Sequence, residues 1–240
     1  MTEQELLPFL LFKCQVGSYL YGCSIDTSDT DYMGVFVPPL DYTFGFQHIE
    51  HVECRTNPSS SGRKNIQEDK DCIYFTLPKF IFLCMNASPT LLELFFVKEF
   101  EYCNEYGRLL LQNRSLFLSK KIKQTFLGYV KSQQEQLFKG DAMLNYYYNP
   151  KVAYHIVRLL EECYQLLHYQ YINFPLKNAA ELRKIRLGML SLNNLTDIID
   201  NYMTTINTVE TYLPDEPDKK NLQDLQKRIM WDYAVKEMDI

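Results

Sequence analysis

The stretch GSYLYGCSIDTSDTD (residues 17–31) decides how this chain is read. A Gly-Ser pair, Gly17 and Ser18, is followed by Asp29 and Asp31, and then by the β-rich run Tyr32, Met33, Gly34, Val35, Phe36, Val37. Side chains at i and i+2 of a strand share a face. Asp29 and Asp31 therefore project together, about 6–7 Å apart along the backbone. Two carboxylates on one face repel unless a cation lies between them. Mg²⁺ is held by such carboxylates together with substrate phosphates. The Gly-Ser pair offers unhindered backbone N–H groups and a hydroxyl to a phosphate. A phosphate grip beside paired metal ligands points to chemistry on a nucleotide.

Working outward, residues 7–16 form a buried strand or a helix running into one, too short for periodicity to decide. Gly17-Ser18 opens a brief helical turn that ends near Gly22, and Asp26 reads as a turn-former. Residues 29–37 are the carboxylate strand, stopped by Pro38-Pro39. Residues 41–53 give a further short helix or strand, and 54–68, rich in Ser, Asn, Gly and Pro, a mobile loop. Residues 69–77 resume strand alternation, with Asp69, Asp71, Ile73 and Phe75 on one face. From Pro78 the pattern turns helical. It covers LPKFIFLCM, PTLLELFF, a long amphipathic helix over 115–139, another over 149–170, and helices at 179–187, 192–212 and 218–237. The expected fold class is α+β: a small mixed sheet with flanking helices, followed by an all-helical C-terminal domain. The expected division is a catalytic domain at 1–112 and a helical domain at 113–240.

Composition narrows the function classes. The chain has 240 residues, 46% of them hydrophobic, so a packed core is expected. A net charge of -5 argues against coating nucleic acid by general electrostatics. Seven cysteines, never spaced as CxxC, read as reduced buried thiols rather than a disulfide framework or zinc site. The apolar N-terminal run follows two acidic residues and lacks a basic region or cleavage site, which predicts no secretory signal. No uncharged apolar run has the length to span a bilayer. These features predict a cytoplasmic protein without a membrane partner.

A site that clamps an in-line phosphoryl displacement needs a third carboxylate from a neighbouring strand. That group can also accept the proton of the attacking hydroxyl. Asp71 is the first choice and Asp69 the fallback. Lys151, His155 and Arg158 fall at i, i+4 and i+7, one face of a helix, where three cations could hold phosphates. Lys79 is a further candidate for the same role. His48, Glu50 and His51 read as a plain polar edge. The lysines at 120, 121, 123 and 131 read as a solvated helix face, and the many tyrosines as packing residues.

The stretch GSYLYGCSIDTSDTDYMGV resembles the signature of the DNA polymerase β-type nucleotidyltransferase superfamily, GS followed by D-x-D. More narrowly, the chain resembles predicted bacterial and viral nucleotidyltransferases related to the RNA-ligase-associated putative nucleotidyltransferases. VFVPPLDYTFGF, DCIYFTLPKFIFL, PTLLELFF, KVAYHIVRLL and KIRLG carry that narrower match, which runs across nearly the whole chain. Ser88 stands where the family commonly has Asn before the proline; both residues cap a helix start. The resemblance implies Gly17 and Ser18 on the nucleoside triphosphate, Asp29 and Asp31 as metal ligands, and Asp71 as the third carboxylate. It implies two ions, Mg²⁺ or Mn²⁺, and transfer of a nucleoside monophosphate to an acceptor hydroxyl with release of pyrophosphate. The acceptor classes are RNA, tRNA among them, and protein. A non-catalytic nucleotide- or RNA-binding module on the same fold is the alternative, against which the intact carboxylate set argues.

Overall fold

The computed structural model describes residues 1–25, 28–55, 70–140 and 146–238. Asp26, Asp69 and all but the first two residues of the predicted 54–68 loop lie outside the described residues. The N-terminal half opens with α1 (Glu3–Leu6), β1 (Leu10–Val16), α2 (Gly17–Leu20), β2 (Thr30–Phe36) and α3 (Leu40–Thr43). It continues with β3 (His51–Arg55), β4 (Lys70–Thr76), α4 (Leu77–Met85), α5 (Pro89–Leu92), β5 (Tyr102–Cys103) and α6 (Glu105–Gln112). Helices follow: α7 (Lys121–Leu137), α8 (Pro150–Tyr169), α9 (Ala179–Arg186), α10 (Leu192–Thr208) and α11 (Lys219–Met238). The fold is α+β, as the sequence predicts.

The strands form one five-stranded sheet in the order β3-β4-β2-β1-β5. It is mixed: β2 and β4 run parallel, and the other pairs are antiparallel. Leu10, Leu11, Phe12, Cys14 and Val16 of β1 are all buried, as befits an inner strand covered on both faces. In β4 burial alternates through Cys72, Tyr74 and Thr76, leaving Asp71, Ile73 and Phe75 together on the other, half-buried face. A minor cluster of Leu6, Leu10, Phe36, Val52, Cys72 and Tyr74 packs beneath α1.

The main core is continuous from Leu11 and Val35 of the sheet through Phe80, Phe126 and Leu160 to Ile229 and Tyr233 of α11. It therefore passes through both predicted halves. The last helix returns to the first half, where Asn104 donates to the Tyr233 hydroxyl at 2.8 Å and Glu237 accepts from the Leu40 N–H. Two predicted elements differ. The helix expected from residue 115 begins at Lys121, because 114–117 form a 3₁₀ turn that buries Phe117, and Leu118 is extended. The 192–212 helix ends at Thr208, beyond which Val209 turns extended.

Helix α8 is the pillar of the helical half, with α7, α9 and α10 packed around it. The Asn149 side chain accepts from the Lys151 and Val152 N–H groups and Pro150 occupies the first turn, so the start of α8 is fixed. No single helix among the described residues is long and apolar enough to cross a membrane.

Candidate active site

Parallel pairing of β2 and β4 sets Asp31 level with Asp71. Neighbouring strands lie about 4.8 Å apart, so the two carboxylates project side by side. Asp29 arrives from the turn just ahead of β2. Ser28 shapes that turn: it is buried, its Oγ accepts from the Ile25 N–H at 2.9 Å, and its own N–H donates to the Ile25 carbonyl at 2.8 Å. Asp29, Asp31 and Asp71 each offer a carboxylate oxygen within 4.8 Å of the others. Burial, with the neighbouring Asp29 and Asp71 carboxylates, pushes the Asp31 carboxyl up to about 6, against the positive charges of Lys151 and Arg186. Three clustered carboxylates, one of them strained toward its neutral form, are the donor set that fits a hard divalent cation.

Gly17 follows directly on β1, whose last residue, Val16, pairs with Asp31. Its φ is +70°, the left-handed region, and a Cβ there would overlap the Asp31 carboxylate. The conformation strains any other residue there, and a side chain would also push the Asp31 carboxylate aside. Ser18 is half-buried in the same turn. Gly17, Asp31 and Asp71 line a cavity of about 250 Å³ with Tyr21, Arg55 and Glu93. A Gly17→Ala variant is expected to lose at least about 10²-fold in the rate of any chemistry these carboxylates direct, because displacing the Asp31 carboxylate by about 1 Å is that costly. Single-turnover assays beside a thermal melt check this; a melt that falls while the rate per folded molecule holds contradicts it.

The expected cationic face of α8 divides along its length. Lys151, in the first turn, is exposed, and its charge is felt at Asp31. His155 is not a cation: burial, together with the charges of Arg158, Lys151 and Arg186, lowers it to about 3, so the imidazole is neutral near pH 7. Arg158 departs from the expectation altogether. Its guanidinium is buried, bonded to Glu93 at 3.1 Å and Glu162 at 2.9 Å, and stacked 4.6 Å from the centre of the Tyr21 ring. The Tyr21 hydroxyl also donates to Glu93 at 2.8 Å. Arg158 thus supports the residues behind the Gly17 turn and has no free face for phosphate.

Lys79 is also displaced from its expected role. It lies in α4, beyond the far end of β4 from Asp71, and pairs with Glu50 at 2.8 Å. The five strand steps from Asp71 to Thr76 alone span about 17 Å at the usual rise. His48, Glu50, His51 and Glu53 make a polar edge of long contacts, 3.9 Å for His48–Glu50 and 3.7 Å for His51–Glu53. Lys120 and Lys121 pair with Asp215 and Glu216, each at 2.8 Å, and so tie α7 to the segment before α11.

One residue that the sequence reading passed over joins the site. Arg186 ends α9, and its charge acts on both Asp31 and His155. The signal was present in KIRLG: a glycine just after the last periodic residue marks a helix end and places the arginine in its last turn.

Comparison with known proteins gives the family. The chain belongs to the RNA repair pathway DNA polymerase beta family (RlaP), whose model matches residues 2–208. It is 30% identical over 125 residues to an uncharacterised 38.9 kDa protein of Enterobacteria phage T4. That alignment takes in 50% of this chain and 36% of the phage protein, so the chain spans well under half of that relative's length. A solved structure of a nucleotidyltransferase-like protein from Exiguobacterium sibiricum aligns with 98% of this chain and 77% of its own, at 10% identity and a TM-score of 0.33.

Proposed function

We propose that this protein is a metal-dependent nucleotidyltransferase that moves a nucleoside monophosphate from a nucleoside triphosphate to a hydroxyl of RNA. The observation that carries the reading is the convergence of Asp29, Asp31 and Asp71, their oxygens within 4.8 Å, with Gly17 packed against Asp31. The family description, an RNA repair pathway, favours RNA over protein as acceptor.

In this reading Asp29, Asp31 and Asp71 hold two divalent ions, Mg²⁺ or Mn²⁺. When bound, such ions neutralise phosphate charge and sharpen the attacking oxygen. The residues supply the rest. The Gly17-Ser18 turn holds the triphosphate beside the carboxylates, and Lys151 contributes a charge from across the cleft. The acceptor oxygen forms a bond to the α-phosphorus, the bond from that phosphorus to the bridging oxygen breaks, and pyrophosphate leaves. Asp71 takes the proton of the acceptor hydroxyl. Most of the acceleration comes from positioning and charge complementarity.

The test is a screen of the four α-labelled nucleoside triphosphates with Mg²⁺ or Mn²⁺, offering tRNA, total RNA and cell lysate. Label is expected in RNA, and none with an Asp29→Ala/Asp31→Ala variant. Equal labelling by that variant sinks the reading, and label confined to protein moves the acceptor class.

A further inference from the structure

Arg186 is held in place by the way its helix stops. The N–H of Met189 donates to the Lys184 carbonyl and that of Gly188 to the Ile185 carbonyl, both at 2.9 Å, with Gly188 at φ +69°. These are the paired bonds of a Schellman stop, which leaves Arg186 as the last fully helical residue. The space where a Gly188 side chain would be is filled by the ring of Tyr146. The backbone beneath Arg186 is therefore fixed from two sides.

The guanidinium lies 5.6 Å from the centre of the Tyr154 ring on α8. The Tyr154 hydroxyl in turn receives the Cys23 thiol at 3.5 Å, in the segment that follows the Gly17-Ser18 turn. Arg186 thus belongs to the wall where the helical half meets the phosphate-side loop. Its Nη1 is shielded from solvent and makes no hydrogen bond, and no carboxylate among the described residues pairs with it. Arg158 differs in that its Nη1 is paired with two internal carboxylates, although its Nε is likewise buried without a partner. A shielded guanidinium nitrogen without an acceptor is costly unless an anion completes it. Arginine is also the side chain best suited to phosphate, through its planar fork of donors.

We propose that Arg186 binds the phosphate chain of the nucleoside triphosphate, reaching it from the helical half opposite Asp31, and so fills the part the sequence gives to Arg158. This rests on the nucleotidyltransferase reading. With Lys151 it supplies positive charge on one side of the substrate while the carboxylates stand on the other. The guanidinium touches the β- and γ-phosphates, the portion that departs as pyrophosphate, and takes no part in proton transfer.

Calorimetric titration with non-hydrolysable triphosphate analogues of the four nucleosides, and with inorganic tripolyphosphate, in Mg²⁺, tests this on the full chain. Arg186→Met is expected to weaken both kinds of ligand about 10- to 100-fold, the range for losing charge-assisted hydrogen bonds. Arg186→Lys should recover part of that loss, since it keeps the charge without the fork. A role confined to packing against Tyr154 would instead lower the melting temperature and leave affinity per folded molecule unchanged, which overturns the proposal. Should Arg186→Met fail to fold, the lysine variant decides: binding equal to wild type for tripolyphosphate and nucleotide alike refutes the fork contact. Wild type that binds none of the four analogues removes the nucleotidyltransferase reading itself and the role of Arg186 with it.

Discussion

Replacing Asp31 with Asn lowers nucleotide transfer by about 10³-fold or more, yet raises the stability of the metal-free protein at neutral pH. Both effects have one origin. Asp31 is half-buried beside Asp29 and Asp71, and burial with that repulsion raises its carboxyl from 3.8 to about 6. A carboxyl whose folded pKa exceeds its unfolded value makes the folded state the better proton binder. Its stabilising contribution is thus fully present below about pH 3.8 and is lost as pH rises through about 6. At pH 7.5 the ionised group works against the fold, and a neutral amide of the same shape does not. Metal-free wild type should therefore melt lower than Asp31→Asn at pH 7.5, with the gap closing toward pH 4.5. Millimolar Mg²⁺ should raise the wild-type melt by mass action and move the variant much less. Melts at the two pH values, with and without Mg²⁺, measure this beside the transfer assay. A variant with wild-type transfer, or a melting gap that ignores pH, contradicts the account.

Arg158→Met is expected to destabilise the fold by about 3–5 kcal/mol, because it leaves two buried acids, Glu93 and Glu162, without their cation. Glu93 and Glu162 are 1% and 0% exposed, and their only ion-pair partner among the described residues is the Arg158 guanidinium. Burial, followed by the charge of Glu162, raises the Glu93 carboxyl, so one guanidinium serves two acids and a tyrosine hydroxyl. The triple change Arg158→Met/Glu93→Gln/Glu162→Gln should regain much of the loss, since no net charge then remains buried. Urea denaturation followed by Trp231 fluorescence reads the difference. A loss under about 1 kcal/mol for Arg158→Met would mean that water reaches the cluster, as at exposed pairs. Because Tyr21 follows the Gly17 turn, Arg158→Met should also loosen the phosphate side of the site at temperatures where the fold survives.

These two residues show where the sequence was legible. Asp31 could be read because a local rule governs it: the carboxylate spacing, the strand behind it and the Gly-Ser pair ahead all lie within twenty residues or so of chain. Arg158 follows an equally local rule, the i+7 repeat with Lys151, and the rule places both on one stripe of α8. Seven residues of helix advance about 10 Å, which is enough to carry the stripe from the cleft into the core. Helical periodicity gives direction around the axis and says nothing about what lies opposite. Lys79, the further candidate for holding phosphate, lies away from the carboxylates because a strand and a turn carry the chain from Asp71 to the other end of the sheet.

The sequence by itself determined the α+β order of elements and singled out the carboxylate pair and the Gly-Ser turn, since periodicity, residue spacing and turn chemistry are properties of adjacent residues. Only the tertiary structure decided that Asp71 stands beside Asp31, which depends on the parallel register of β2 and β4. It also decided that Arg158 is an internal counter-ion and His155 a neutral side chain, and that Arg186 keeps a shielded Nη1 beside the Tyr154 ring. Burial and opposing charge decide those three, and both are set by elements far away in the chain.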